Sequence, residues 1–143
     1  MEIKQGTTCA VLYRVDGQFL ICHSTGGPYW GLPKGMRDEA DPNEAFAASR
    51  ELWEETGITV SPEKLHYVGN YNYKRDKNLS LFEYMTDVRI ATADMYCRST
   101  FIGKNGKKYP EVDYYRYIDI DNAHKYLNSN MLRILRRAVK WQQ

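Results

Sequence analysis

The sequence predicts a mixed α/β domain, and three observations lead there. Two runs rich in β-branched and aliphatic residues, TTCAVLYRV and QFLICHS, are separated by Asp16-Gly17, a pair suited to a two-residue hairpin turn. One stretch, NEAFAASRELWEET, carries good helix formers up to Gly57, where a C-terminal cap is expected. The second half holds further strand-like runs and closes in a helical pattern.

Each element has a local reason. TGGPYWGLPKG, residues 25–35, is dense in glycine and proline and reads as loop or tight turn. Asp41-Pro42 supplies an N-cap with proline at the first helical position, so the main helix is expected from Pro42 to Thr56. ITV at 58–60, LHYVGNYNY and LSLFEYMTDV read as strands, the last two joined by a turn at KRDKN. YCRSTFI and VDYYRYIDI read as strands on either side of GKNGKKYP. DNAHKYL and NMLRILRRAVKWQQ read as closing helices, the second with Met131, Leu132, Leu135, Ala138 and Val139 on one stripe. There is no repeat, low-complexity tract or linker, and residues 1–143 read as one domain.

Composition narrows the function classes. Forty-three per cent apolar and 27% charged residues describe an ordinary globular chain. No apolar run approaches the ~20 residues needed to cross a bilayer, and MEIKQGTTCAVLYRV lacks a secretory pattern. A cytoplasmic location without a membrane partner is therefore expected. A net charge of +2 is too small for general nucleic-acid binding. The charge is uneven, however: YKRDK at 73–77 and GKNGKK at 103–108 are basic, and the main helix is acidic. That polarity suits an anionic substrate bridged by metal, although Lys104, Lys107 and Lys108 read rather as solvated loop tips. Cys9, Cys22 and Cys97 form no CxxC pair and have no histidine at zinc spacing; Cys9 and Cys22 read as small buried thiols. His23, His66 and His124 are scattered and carry no motif.

The main helix carries the strongest chemical signal. Glu51, Glu54 and Glu55 share one sector of its surface, and Glu44 lies seven residues earlier on the same stripe. Ala47 and Ala48 between them add little bulk, while Phe46 and Trp53, on the opposite side, are expected to anchor the helix on the core. Like charges at this spacing cost a few tenths of a kcal/mol, and the macrodipole disfavours anions near a helix C-terminus. An arrangement unfavourable on two counts is expected where function resides. A divalent cation compensates it, because Mg²⁺ takes oxygen ligands and keeps positions for water and phosphate. Taken alone, three glutamates are also compatible with an acidic solvated face.

The flanking residues decide between these. GMRDEADPNEAFAASRELWEETGI, residues 35–58, resembles the Nudix box, whose pattern is G-x5-E-x7-R-E-U-x-E-E-x-G-U with U a large aliphatic residue. Gly35 matches the opening glycine, and Arg50, Glu51, Leu52, Glu54, Glu55, Gly57 and Ile58 match the second half in register. The resemblance implies a Nudix-type α/β/α sandwich with a mixed central sheet. It also implies hydrolysis of a nucleoside diphosphate linked to another moiety. Glu51, Glu54 and Glu55, with the Gly35 backbone carbonyl, would hold Mg²⁺ or Mn²⁺. Such metals activate a bound water and stabilise charge at the attacked phosphorus. Arg50 would orient a glutamate through charge-assisted hydrogen bonds. Glu54 is the first candidate for general base. Glu111, in YPEVDYYRYI, is the late candidate for base or extra metal ligand, or else an ordinary strand-edge charge. Lys34 is placed to meet a phosphate or simply faces water. The pattern is broken at one place: Gly35 to Arg50 is one residue too long, and the position eight before Arg50, where the family has its first glutamate, is Pro42. Asp41 is the nearest carboxylate and Glu39 another. By resemblance that position orients the arginine.

Substrate choice lies outside the box. Tyr67, Tyr71, Tyr73 and Tyr84 cluster around Lys74, Arg75 and Lys77. Such aromatics can stack a base while the cations grip phosphates, or they are sheet residues. Arg98 points to the pocket or away according to strand register. YWGLPKG is similar to the entry loop of Nudix members acting on dinucleoside polyphosphates and on 5′-triphosphorylated RNA. A nucleotide-derived small molecule or an RNA 5′ end is thus the expected substrate, with ADP-ribose or a nucleoside diphosphate sugar as the alternative. A non-catalytic nucleotide-sensing module is the reading from a different class, and retention of all three glutamates argues against it. A homodimer is compatible with the sequence, which does not fix the oligomeric state.

Overall fold

The computed structural model describes residues 6–141. Strands β1 (Gly6–Val15) and β2 (Gln18–Ser24) form a hairpin. Its turn residues Asp16 and Gly17 both have positive φ, 52° and 78°, the backbone that matches strand twist in a two-residue loop. Short strands β3 (Trp30–Gly31) and β4 (Lys34–Met36) precede helix α1 (Glu44–Thr56). Strands β5 (His66–Lys74) and β6 (Lys77–Thr86) follow, then the small hairpin β7 (Thr100–Ile102) and β8 (Lys108–Pro110). Strand β9 (Val112–Ile118) and helix α2 (Ser129–Ala138) complete the described chain.

The central sheet is mixed. β1 lies parallel to β6 along its whole length, and β6 is antiparallel to β5. On the other edge, β1 meets β2 only at Arg14 and Val15, then diverges from it. The segment from Trp30 to Met36 fills the resulting fork. Gly31 and Trp30 pair with Cys22 and His23 of β2, whereas Lys34–Met36 pair with Thr8–Ala10 of β1. Pro33, between the two, needs no donor partner; its carbonyl accepts from the Val11 N–H at 3.0 Å. Here is the structural use of the glycine- and proline-rich stretch. It changes partners inside the sheet and delivers Lys34 and Gly35 beneath α1.

Both faces of β1 are covered, which is why it reads as a continuous apolar run. Ala10 and Leu12 point into a layer closed by α2, with Phe19, Ile21, Leu79, Leu81, Met131, Ile134 and Leu135. Cys9, Val11, Tyr13 and Val15 point into a layer closed by α1, with Leu20, Ala47, Ala48, Leu52, Ile58 and Phe82. The result is an α/β/α sandwich with a mixed central sheet. Among the described residues no helix is long and apolar enough to cross a membrane.

Several sequence expectations are corrected. The N-cap of α1 is Asn43, whose Oδ1 accepts from the Phe46 N–H at 2.8 Å, not Asp41. At the other end Gly57 caps as expected, with φ 83° and its N–H on the Trp53 carbonyl at 2.8 Å. Phe46 and Trp53 do not anchor the helix: they are 41% and 42% exposed. The small residues Ala47 and Ala48 face the sheet and let the helix lie close, so the bulky aromatics turn outward. Residues 58–60 form no strand; Ile58 and Val60 are extended and buried under α1, where Ser49 Oγ donates to the Val60 carbonyl at 2.5 Å. Residues 96–99 lie outside β7, and the expected helix at DNAHKYL is a 3-10 turn, Ile120–Lys125. Helix α2 stops at Ala138, with Ile134 rather than Leu132 fully inside. Gln142 and Gln143 of the expected closing helix lie outside the described residues.

Candidate active site

The site is built where α1 crosses the fork of the sheet. Arg50 is its hub. Nε and Nη2 donate to the two oxygens of Asp41 at 2.9 and 2.8 Å, and Nη2 also donates to the Met36 carbonyl at 3.1 Å. Nη1 donates to Glu51 Oε2 at 3.1 Å and to Glu54 Oε2 at 3.0 Å. All five N–H groups of the guanidinium are therefore engaged. Asp41 is itself buried, accepts from the Asp38 N–H at 2.8 Å, and is held below the usual carboxylate range chiefly by its bonds from Arg50. The carboxylate that the pattern places eight residues before Arg50 is thus supplied nine residues before it, by Asp41. Glu39, the other candidate, is exposed.

Glu51 and Glu55 face inward. Glu51 lies against the backbone of Gly35 so closely that a Cβ there would overlap its carboxylate. Glu55 Oε1 accepts the Lys34 N–H at 3.1 Å, and the Tyr115 hydroxyl donates to the Glu55 backbone carbonyl. Burial pushes Glu51 up to about 7 and Glu55 up to about 8, with Glu111 adding repulsion to both across the cleft. Arg50 opposes the shift of Glu51, and Lys34 opposes that of Glu55. Glu54, between them in sequence, sits at the more open edge. Among the described residues no three carboxylate, imidazole or thiol groups already converge on one point. The Nη1 group of Arg50 lies between Glu51 and Glu54 instead. Glu44, on the same stripe, is drawn away to the sheet, where it accepts from Ser80 Oγ at 2.6 Å.

Beside these glutamates opens a cleft of 190 Å³, lined by Lys34, Gly35, Glu55 and Glu111 together with Tyr73, Lys74 and Lys77. The structure therefore brings together most of the residues singled out from the sequence. Three stand apart. Tyr71 packs toward α2 and lines a separate groove with Arg133 and Arg137. Arg75 is exposed in the turn between β5 and β6 and does not line the cleft. Arg98 lies at the C-terminal end of α1, its guanidinium 4.1 Å from the rings of both Trp53 and Tyr96, and donates to the Trp53 carbonyl at 3.3 Å. A cation there is favoured by the helix dipole. Thr8, Cys22 and Ser24 also line the cleft. No local sequence signal marks them, because the divergence of β1 from β2 is what opens the space between them.

A family model for the NUDIX domain matches residues 4–138. The chain belongs to the Nudix family. It keeps every glutamate of the second half of the box, Glu51, Glu54 and Glu55. The chain is 32% identical over 108 residues to an uncharacterized 17.7 kDa protein of Enterobacteria phage T4, covering 74% of this chain and 72% of that protein. It is 40% identical over 67 residues to the phosphatase NudJ of Escherichia coli K12, covering 46% of this chain and 42% of NudJ. That match spans less than half of NudJ. Among solved structures, the MutT protein of Methanosarcina mazei Go1 superimposes with a TM-score of 0.67 at 20% identity, covering 96% of this chain and 94% of that one. The NUDIX domain of Shewanella oneidensis NrtR, complexed with ADP ribose, gives 0.71 at 14% identity, covering 96% and 88%. At these identities the superpositions show a shared fold.

Proposed function

We propose that this Nudix hydrolase cleaves, with Mg²⁺ or Mn²⁺, the pyrophosphate bond of a nucleoside diphosphate linked to a second moiety. The preferred substrates are a dinucleoside polyphosphate or a 5′-phosphorylated RNA end. One observation carries the reading: the buried carboxylate of Glu55 lines a cleft with Glu111, Lys34, Lys74 and Lys77, and that of Glu51 lies against Gly35 in the cleft wall. Cations placed on the acidic wall and phosphate oxygens on the basic wall satisfy both. The residues present fit a hard divalent ion. The donors are oxygens, their burial leaves negative charge poorly compensated, and the hollow above Gly35 admits the Glu51 carboxylate only because no Cβ fills it.

Glu51, Glu54 and Glu55, with the Gly35 carbonyl, would hold the metal. When bound, it supplies Lewis-acid stabilisation of charge on phosphorus and a water of lowered pKa. The protein's own groups do the rest. Asp41 fixes Arg50, and Arg50 in turn aims Glu51 and Glu54. Lys34, Lys74 and Lys77 bind and orient phosphate oxygens, and Tyr73 closes the wall behind them. Glu54, more open than Glu51 and 3.0 Å from Arg50 Nη1, is the first choice to accept a proton from the attacking water, with Glu111 across the cleft as the second. Glu54→Gln should lower metal-dependent turnover by a factor of about 10² or more, within the usual range for a general base; unchanged turnover removes Glu54 from the chemistry. ADP-ribose is the second reading, favoured by the ADP ribose held in the similar NrtR domain. A panel of dinucleoside polyphosphates, ADP-ribose, sugar nucleotides and triphosphorylated RNA separates the two.

A further inference from the structure

A second cavity, 440 Å³, lies beside the cleft between the loop after β2 and the β7–β8 hairpin, lined by Thr25, Gly26, Phe101, Lys104, Asn105 and Tyr109. Phe101 and Tyr109 are directly cross-strand partners with ring centroids 5.9 Å apart. They belong to neither core layer, so packing of the sandwich does not explain them. The Tyr109 ring is nonetheless fixed. It lies over Gly103, where a Cβ would come within 2.8 Å of it, and its hydroxyl accepts from Asn105 Nδ2 at 2.6 Å. Asn105 is in turn held by the Lys107 N–H at 3.0 Å. A surface ring locked from below and at its edge is a preorganised stacking platform.

Two further features point to a ligand. The Thr25 hydroxyl oxygen is buried with no hydrogen-bond partner among the described residues, an arrangement costing free energy unless something else completes it. The cavity also adjoins the cleft through Glu111: its carbonyl accepts from the Thr25 N–H at 3.1 Å, and its N–H donates to the Ser99 carbonyl at 3.0 Å. Glu111 thereby ties both walls of the cavity to the pyrophosphate site it also lines.

We propose that this cavity receives the planar heteroaromatic ring of the substrate, a nucleobase-type group. The ring stacks on Phe101 and Tyr109 and takes a hydrogen bond with the Thr25 hydroxyl. The assignment rests on the pyrophosphohydrolase reading of the adjoining cleft, and it makes the hairpin a determinant of which diphosphates are accepted.

The test titrates the wild type, Phe101→Ala and Thr25→Val with the four common nucleoside 5′-monophosphates and with ribose 5-phosphate, followed by ligand-observed NMR. At least one nucleotide should bind the wild type about tenfold more tightly than ribose 5-phosphate does, since base–aromatic stacking is worth that much or more. Phe101→Ala should remove most of that advantage, and Thr25→Val should reduce it several-fold. Both should leave ribose 5-phosphate binding unchanged. Phe101 is 38% exposed, and Thr25→Val replaces an unpartnered hydroxyl by a methyl, so thermal stability should be kept in both. Equal binding of nucleotides and ribose 5-phosphate, or full nucleotide affinity in Phe101→Ala, overturns the proposal. Turnover separates the two readings. Metal-dependent hydrolysis with nucleotide binding and KM indifferent to Phe101→Ala defeats the cavity alone. Ring-dependent binding without any hydrolysis upholds the cavity and defeats the reaction.

Discussion

Replacing Asp41 by asparagine tests how the helix is fastened. The change keeps the shape and one carbonyl acceptor but removes the charge and one of the two parallel bonds to Arg50. The Asp41 side chain is 2% exposed and that of Arg50 24%. Breaking a fully buried ion pair by removing one partner costs ~3–5 kcal/mol. Arg50 is partly solvated and keeps its bonds to Glu51, Glu54 and Met36. The loss should therefore fall at about 1.5–3 kcal/mol, the range for a hydrogen bond to a charged group. With a urea slope of about 1–3 kcal/mol per M, the unfolding midpoint should drop by about 1 M. Glu39→Gln, altering the exposed carboxylate two residues away, is the control and should change stability by no more than about 0.5 kcal/mol. The pH dependence has a definite sign. Arg50 depresses the Asp41 pKa, so this stabilisation is present above the unfolded value of ~3.9 and is lost as pH falls through the lower folded value. The gap between wild type and Asp41→Asn should then persist at neutral pH and close only below about pH 4. Equal midpoints for Asp41→Asn and Glu39→Gln at neutral pH would refute the reasoning.

Three other outcomes follow from the same geometry. Glu51 and Glu55 are raised from 4.5 to about 7 and about 8, so between those values the folded, metal-free protein binds more protons than the unfolded chain. Its stability should fall as pH rises through that window; in urea titrations from pH 5 to 9 the Glu55→Gln variant should show a shallower fall, and an equally steep one contradicts the assignment. Gly35→Ala places a methyl on the Glu51 carboxylate and should cost about 1–3 kcal/mol, with a larger proportional loss of metal-dependent turnover than of stability when both are measured. Trp53→Ala removes an exposed ring covered by Arg98 and should cost only about 0.5–1 kcal/mol, the worth of an exposed cation–π contact, with KM unaltered in steady-state kinetics.

Much of the fold was legible because local chemistry and tertiary structure agree. Asp16-Gly17 made its turn, Gly57 capped its helix, and the second half of the box placed its carboxylates on one face of α1. What was not legible depends on partners distant in sequence. Periodicity put Phe46 and Trp53 opposite the glutamates but could not say which side the sheet would take. Two alanines, Ala47 and Ala48, permit the closer approach, and the carboxylate edge went inward with them. Asp41 looked like a helix cap because Asp-Pro so often is one; Asn43, two residues on, competes for the same role and frees Asp41 to hold Arg50. The side of the sheet on which Tyr71 and Arg98 lie was undetermined for a related reason. The register of β5 shifts between Asn72 and Lys74, and Arg98 precedes the first residue of β7. The cavity under the hairpin had no sequence signature at all, since Thr25 and Phe101 meet only through the pairing of distant loops.

The central claim is that the inward carboxylates of α1 take up divalent cations and present them to a pyrophosphate. Electron paramagnetic resonance of Mn²⁺, with and without a non-hydrolysable methylene-bridged nucleoside diphosphate, tests it directly. Wild-type protein should deplete free Mn²⁺ and do so more strongly with the analogue, whereas the double variant Glu51→Gln, Glu55→Gln should not. Equal Mn²⁺ uptake by both proteins, or none by either, contradicts the account.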